Sequence, residues 1–337
     1  MKTCFWIILL FCWSISIGAQ ETYRIASYNV ENLFDLEDDP KHMDDDFLPQ
    51  GRQKWTADRY QKKLEQLTKV FVGMELPTFI ALQEVENARV LEDLCKMPEL
   101  AAKNYDFVHI ESPDYRGIDV ALLYQKDHFT VSASSVISIN FPETIVKQPY
   151  TTRDILQVRG RLQGSETLYF FVNHWPSRRG GVRESEPKRL YVAAQLRKKL
   201  NEVFGKAPNA NVVILGDFND TPSNNSVRTV LGVLEEMQLP IPGFLYDCFG
   251  QLAKQKKGSY NYRGNWNMLD HIIVSAALYD QTDGMYIQNP SIFSRDWMLY
   301  QDPKYGKKPN RTYGGPNYYG GFSDHLPVFI DLEIVKK

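Results

Sequence analysis

This chain is punctuated by short runs of apolar, β-branched and aromatic residues that stop abruptly on an amide, an acid or a histidine. The clearest are Tyr23–Tyr28, Thr78–Leu82, Asp119–Tyr124, Ile155–Leu162, Leu168–Asn173, Val212–Leu215, Leu269–Val274 and Val328–Ile334. Runs of this length and composition read as strands. Several do not alternate with polar residues, so they belong to strands buried on both faces. A sheet buried on both faces needs a layer against each. The spacing of Tyr60, Leu64, Leu67, Phe71 and Met74 predicts an amphipathic helix over Ala57–Gly73 with Thr56 as its N-cap. Ser185 and Pro187 open a second helix, with Leu190, Ala193, Leu196, Leu200 and Val203 on one face and Gly205 closing it. No repeat, low-complexity linker or composition break divides the chain, which predicts one domain over residues 21–337.

Composition narrows the class further. At 43% hydrophobic and 13% aromatic, the chain has ample core-forming residues, which excludes disorder. A formal net charge of -2 argues against a strongly basic nucleic-acid binder, but not against an enzyme that touches a few phosphates. Residues 1–19 read as a secretory signal peptide: Lys2 supplies a basic start, Phe5 to Trp13 an apolar run, and Gly18-Ala19 a small-residue cleavage site. That run is short for a membrane span, so the expected product is an exported protein with no stable membrane association after cleavage. Cys4 and Cys12 leave with the leader. Cys95 and Cys248 remain, and two cysteines so far apart are compatible with either buried thiols or a disulfide. No Cys/His spacing suggests zinc.

The polar residues at the strand ends are the candidate chemistry. Asn29 follows YRIASY, Gln83-Glu84 follow TFIAL, and Asn173-His174 follow LYFFV. Asp217 and Asn219 follow VVILG, Asp270 sits in LDHIIV, and Asp324-His325 precede the last strand. If these ends converge, a rigid rim carries carboxylates, imidazoles and amides. Such oxygen donors suit Mg²⁺ or Mn²⁺ rather than zinc.

This set, in this order, resembles the endonuclease/exonuclease/phosphatase superfamily, in an exported bacterial-type form. The superfamily includes pancreatic deoxyribonuclease, apurinic endonucleases, inositol polyphosphate 5-phosphatases and neutral sphingomyelinases. The matching pieces are SYNVENLFD at 27–35, LQEVEN at 82–87, RGIDVALLY at 116–124, VNHWPSR at 172–178, GDFND at 216–220, NWNMLDHIIVS at 265–275 and FSDHLPV at 322–328. The resemblance implies a four-layer α/β sandwich, two mixed β-sheets packed face to face with helices outside. It also implies roles. Glu84 is the principal metal ligand, with Asp324 and Asn29 assisting. Asp217 polarises the attacking water, and Asn219 orients Asp217. His325 pairs with Asp270, and His174 stands on the other side of the phosphate. Asn29, Asn219, His174, Asp119 and Arg178 are candidate phosphate contacts. For Asp119 a local ion pair with Arg116 is equally open, and Arg153 reads better as a structural arginine.

The implied activity is a Mg²⁺- or Mn²⁺-dependent phosphodiesterase, a nuclease acting on DNA or RNA as a monomer. The alternatives are a phosphatase or phospholipase of the same fold acting on inositol phosphates or sphingomyelin, or a non-catalytic binding module. Whether Asp217 or a histidine is the base stays open at this level. No GxSxG elbow or Gly-rich phosphate loop offers another route. His271 should point away from Asp270 and be structural, while His42, His109 and His128 lack matching context. The acidic stretch Asp35–Asp46 reads as a solvated loop. The tyrosine-rich stretches 258–266 and 311–322 read as recognition surfaces or as capping loops.

Overall fold

The computed structural model describes residues 21–148, 150–163, 167–234, 240–279 and 284–334. The leader at 1–19 lies outside the described residues. Each apolar run forms a strand, and the strands assemble into two large mixed sheets. The strands are β1 (Glu21–Leu33), β2 (Phe79–Val85), β3 (Tyr105–His109), β4 (Asp119–Gln125), β5 (Phe129–Ile137), β6 (Ile155–Leu162), β7 (Thr167–His174) and β8 (Asn211–Asp217), with later strands named by their residues. The six-stranded sheet runs Met285–Ile292, Val328–Ile334, β1, β2, β4, β3. The seven-stranded sheet runs β5, β6, β7, β8, Asp270–Ser275, Leu245–Asp247, Val233–Leu234.

Side chains alternating along each strand build three cores. Phe79, Ala81, Val120 and Leu122 of the first sheet meet Val158, Phe170, Val172, Val213 and Leu215 of the second. The opposite faces are covered by helices. Ala26, Tyr28, Ile80 and Leu82 pack on Leu64, Leu67 and Phe71 of α1 (Ala57–Gly73) and on Val90 and Leu94 of α2 (Ala88–Cys95). Phe171, Val212 and Ile214 pack on Leu196 and Leu200 of the helix Val182–Lys206. Strands buried on both faces therefore have the expected layers against them, and the result is the four-layer sandwich. Among the described residues no helix is long and apolar enough to cross a membrane.

The details differ from expectation in several places. Helix α1 has the predicted bounds, but Thr56 makes no side-chain cap bond. The long outer helix begins at Val182, so Pro187 and Gly205 both lie inside it. Five strands of the two sheets were not legible: β3, β5, Met285–Ile292 and Val233–Leu234 at sheet edges, and the three-residue Leu245–Asp247 next to an edge. An edge strand needs no apolar run, and Met285–Ile292 contains Pro290, which an edge tolerates. The acidic stretch is not uniformly solvated. Asp35 and Asp44 are buried and accept backbone hydrogen bonds from Glu37 and Asp39. Both remaining cysteines are free thiols.

Candidate active site

Topology brings the polar strand ends together. β1 and β2 are parallel, as are β7 and β8, so the ends carrying Asn29, Glu84, His174 and Asp217 lie at one rim. The strand Asp270–Ser275 runs antiparallel to β8 and starts opposite it, pairing Asp270 with Asp217. Val328–Ile334 runs antiparallel to β1, which delivers Asp324 and His325 to the same rim. The glycine of GDFND has a steric reason: Gly216 has φ of 139°, and a Cβ there would sit 1.9 Å from the Asn173 carbonyl oxygen on β7.

Asp217 lies at the centre. The Asn29 amide donates to its Oδ2 at 3.1 Å and the Asn219 amide at 3.2 Å, while the Asn219 backbone N–H donates to Oδ1 at 2.8 Å. His174 Nε2 is 3.7 Å and His325 Nε2 3.8 Å from Oδ2. Behind His325, Nδ1 is 2.7 Å from Asp270 Oδ2. His174 Nε2 also lies 3.8 Å from Glu84 Oε1. Burial pushes the Asp217 carboxyl up to about 7, with the His325 charge opposing and the Asp270 charge adding to it.

The two histidines are held in opposite states. Burial alone would discharge His325, but the charges of Asp270 and Asp217 and the bond to Asp270 override it and hold the ring well above the usual histidine range. Burial, reinforced by Arg153 and Arg116, keeps His174 neutral. Its Nδ1 is buried with no hydrogen-bond partner among the described residues, so its single proton belongs on Nε2, facing the acids.

Glu84 stands in the left-handed region, with φ of 65°, as do Glu31 and Asn32 across from it at 54° and 58°. Non-glycine residues seldom adopt this conformation, and clusters of them mark sites where geometry outranks local strain. Asn87, not Glu84, caps α2, which removes the helix-capping explanation for Glu84. Glu84 accepts from Asn32 N–H at 3.1 Å through Oε2, and its Oε1 faces the cleft floor. Arg311 Nη2 donates to Asp324 Oδ2 at 3.0 Å. Asn29 Oδ1 accepts from the Glu31 N–H at 3.0 Å, which leaves one lone pair on that oxygen. The donor set is oxygen-rich, with Glu84 as its least encumbered acid, and it fits a hard divalent cation. Asp217, Asp270 and His325 also offer ligand atoms within 4.8 Å of one another, but His325 and Asp270 bond each other and Asp217 is held by Asn29 and Asn219.

The cleft is about 730 Å³ in volume, and its walls carry charged and aromatic residues beyond the strand ends. Arg116, Arg311, Glu31 and Tyr260 all face it. Glu31 sits inside the SYNVENLFD match but was read past. Its carboxylate binds Arg311 Nε at 3.1 Å and Thr312 N–H at 2.6 Å. Of the tyrosine-rich stretches, 258–266 places Tyr260 and Tyr262 on the cleft wall, and the Tyr260 ring lies tilted 4.8 Å from the His325 ring.

One expected phosphate contact, Asp119, requires correction, while Arg178 keeps its place in the cleft and has a bracing role besides. Asp119 is buried away from the cleft and bonds Ser112 and His109, the latter at 3.2 Å. Antiparallel pairing places it opposite Val85, one residue past the rim acid, with its side chain turned outward. Arg178 does line the cleft, but it donates to Asn219 O at 2.7 Å, Asp220 Oδ1 at 3.2 Å and Asn224 Oδ1 at 3.1 Å. It braces the GDFND loop. His271, as expected, is structural, bonded to Asp247 at 2.8 Å and to Asp220 O at 2.9 Å.

No curated protein matches the chain. Solved structures with the same fold include a humanized D. rerio TDP2, 18% identical, with TM-score 0.56 over 92% of this chain and 98% of that one. An endonuclease/exonuclease/phosphatase family protein of Bacteroides thetaiotaomicron is 16% identical, with TM-score 0.55 over 94% of this chain and 100% of that one. A mannosyl-6-phosphatase of Bacteroides thetaiotaomicron VPI-5482 is 17% identical, with TM-score 0.54 over 92% and 99%. At these identities the likeness is one of fold. The sequence model of the endonuclease/exonuclease/phosphatase family matches residues 24–334, which span both sheets and every rim residue. With that match added to the geometry of the rim, the chain belongs to the endonuclease/exonuclease/phosphatase family.

Proposed function

We propose that the protein is an exported, divalent-metal-dependent phosphodiesterase, a nuclease that hydrolyses DNA or RNA by in-line attack of water. The family is divalent-metal dependent and its fold neighbours hydrolyse phosphoester bonds. The observation that carries the proposal is Asp217, oriented by Asn29 and Asn219 and flanked within 3.8 Å by His174 and His325. A buried carboxyl held near neutrality is suited to accept a proton from water. His325, charged against Asp270, and His174, with its proton on Nε2, would donate to nonbridging oxygens and offset the charge that develops on them. Glu84, with Asp324 and Asn29, would hold a Mg²⁺ or Mn²⁺ ion, which when bound polarises a phosphoryl oxygen. Arginines and tyrosines along the walls suit a polyanionic strand whose bases can stack.

The cleft volume favours a second reading. About 730 Å³ lies within the range of small-ligand sites, which suits a sugar phosphate as well as a short stretch of strand. A mannosyl-6-phosphatase shares the fold. The test is a panel of plasmid DNA, RNA, sugar phosphates, inositol phosphates and sphingomyelin, each with Mg²⁺, Mn²⁺ or EDTA. Cleavage of nucleic acid that EDTA abolishes supports the proposal, and turnover of monoesters alone transfers it to the phosphatase reading. No turnover with any metal overturns both. Export through residues 1–19 is tested by fractionating cells that express the full chain.

A further inference from the structure

A second cluster of metal-binding side chains lies outside the cleft, where the edge strand β3 leaves the six-stranded sheet. β3 pairs with β4 in antiparallel register, and the last pair of the ladder is His109 with Ala121. Two residues further along each chain, the same register sets Glu111 across from Asp119. Side chains alternate along a strand, so positions 109, 111 and 119 share one face. Two carboxylates directly opposite one another on a sheet are destabilising unless a proton or a cation lies between them.

The side chains meet as that register requires. His109 Nε2 is 3.2 Å from Asp119 Oδ2, and His109 Nδ1 is 4.0 Å from Glu111 Oε1. A ring nitrogen of His109 and one oxygen from each acid all lie within 4.8 Å of one another. Asp119 is fixed by Ser112, whose backbone N–H and hydroxyl both donate to Oδ1, so Oδ2 is the oxygen turned to the histidine. Among the described residues no lysine or arginine pairs with Glu111 or Asp119, and His109 is their one ion-pair partner. The other histidine whose charge acts on Glu111, His42, has its Nδ1 committed to Asp39 at 3.0 Å. Partial burial and the Asp119 charge push the Glu111 carboxyl up to about 7. The His109 and Asp119 side chains are almost fully buried, whereas that of Glu111 is 59% exposed, which leaves an open side by which an ion can enter and keep a water.

One imidazole with two carboxylates is the mixed nitrogen–oxygen set of zinc and its first-row neighbours rather than the all-oxygen set of Mg²⁺. Donors about 2.0–2.1 Å from a tetrahedral zinc stand about 3.3 Å apart, close to the 3.2 Å between His109 Nε2 and Asp119 Oδ2. None of the three residues lines the cleft. We propose that His109, Glu111 and Asp119 form a site for Zn²⁺ or a related first-row divalent ion, separate from the catalytic rim, which when filled neutralises the opposed acids and fastens the edge strand β3 to β4. The proposal does not rest on the phosphodiesterase reading, because binding and melting report it rather than turnover.

The probe is Zn²⁺ alone, titrated calorimetrically into the chain carrying Glu84→Gln, so that the rim acid no longer contributes. One equivalent should bind and raise the melting temperature, as expected for a ligand that binds only the folded chain. Adding Glu111→Gln, a change at an exposed side chain, should weaken binding by more than about 100-fold and abolish the shift in melting, since loss of a mere supporting contact already costs about 10–100-fold. His109→Gln should do the same, and the Zn²⁺-induced shift of one histidine's ring resonances should vanish with it. Glu99→Gln, at an exposed acid elsewhere, should bind like its parent. No Zn²⁺ binding by the Glu84→Gln protein, or binding that either Glu111→Gln or His109→Gln leaves unchanged, would overturn the proposal.

Discussion

The pairing of His325 with Asp270 allows a strict test of how the site works. Asp270 is fully buried, does not line the cleft, and reaches the reaction only through its 2.7 Å contact with His325 Nδ1. Asp270→Asn keeps shape and volume but removes the charge. The loss is that of a charge-assisted hydrogen bond to an imidazolium, about 1.5–3 kcal/mol, which corresponds to a fall of about ten- to 150-fold in kcat. His325→Ala removes the donor itself and should cost about 10²- to 10⁴-fold. The informative protein is the double variant. If Asp270 acts only by holding and charging His325, adding Asp270→Asn to His325→Ala should change kcat by no more than about twofold, because nothing remains for it to act on. Asp270→Asn also removes the partner of a buried, charged ring, so it should melt below the wild type, with relief of the repulsion between Asp270 and Asp217 offsetting only part of the loss. The assay is hydrolysis of a chromogenic diester with Mg²⁺ for all four proteins, with melting curves. A double variant whose loss is the product of the two single losses would refute the reasoning, since Asp270 would then act independently of the histidine.

Glu84→Gln should leave the fold intact, lower kcat about 10²-fold or more, and abolish calorimetric Mg²⁺ binding; retained binding would move the metal centre elsewhere. His271 has a folded pKa raised because the Asp247 charge and its two hydrogen bonds outweigh burial. Its contribution is therefore fully present below the unfolded histidine value of about 6.5 and fades as pH rises through the folded value. His271→Gln should cost about 3–5 kcal/mol in urea unfolding at pH 5.5 and measurably less at pH 9; an equal cost at both would show that the pair is not charged. Burial pushes the Cys95 thiol up to about 12 and Cys248 well above its usual range. A thiol reagent at pH 8 should titrate both only after unfolding, and a chain with no titratable thiol after unfolding would indicate that they had paired.

Much of the architecture was legible because central strands have to be apolar on both faces. Phe79–Val85 and Asn211–Asp217 advertise themselves in the sequence because each is covered by a second sheet and by helices. Edge strands carry no such obligation, and β5, with Ser132, Ser134 and Ser135 exposed, reads as loop. The rim residues were legible for a related reason: an acid or amide that closes an apolar run is conspicuous. Glu31 and Arg116 were not, since each lies among other polar residues and owes its place to partners far away in sequence. Arg311 is 280 residues from Glu31, and Arg153 is 39 from the Asp114 that holds Arg116. Asp119 was misread because its neighbourhood matched, while strand register turned its side chain away.

Substrate choice has to reside in the walls of this cleft rather than in its floor. On the floor, both oxygens of Asp217 are already taken by Asn29 and Asn219, and His325 is committed to Asp270, so little is free to read the identity of a substrate. The walls are different. Lys63, buried in α1, donates to Thr312 Oγ1 and to the Phe322 carbonyl, each at 2.7 Å, and so fastens the 311–322 loop at both ends. Burial of that ammonium is costly unless its donors are satisfied, and the third, to Glu31 O at 3.3 Å, anchors it to β1. The loop is thereby a fixed wall carrying Arg311, facing Tyr260 and Tyr262 from the neighbouring hairpin. The walls touch the floor at Arg311, which donates to Asp324, and at Tyr260, which lies against His325, whereas Tyr262 stands clear of it. Exchanging residues such as Tyr262, which is 55% exposed and bonds nothing on the floor, should redirect substrate preference while leaving kcat on a minimal phosphodiester near the wild-type value.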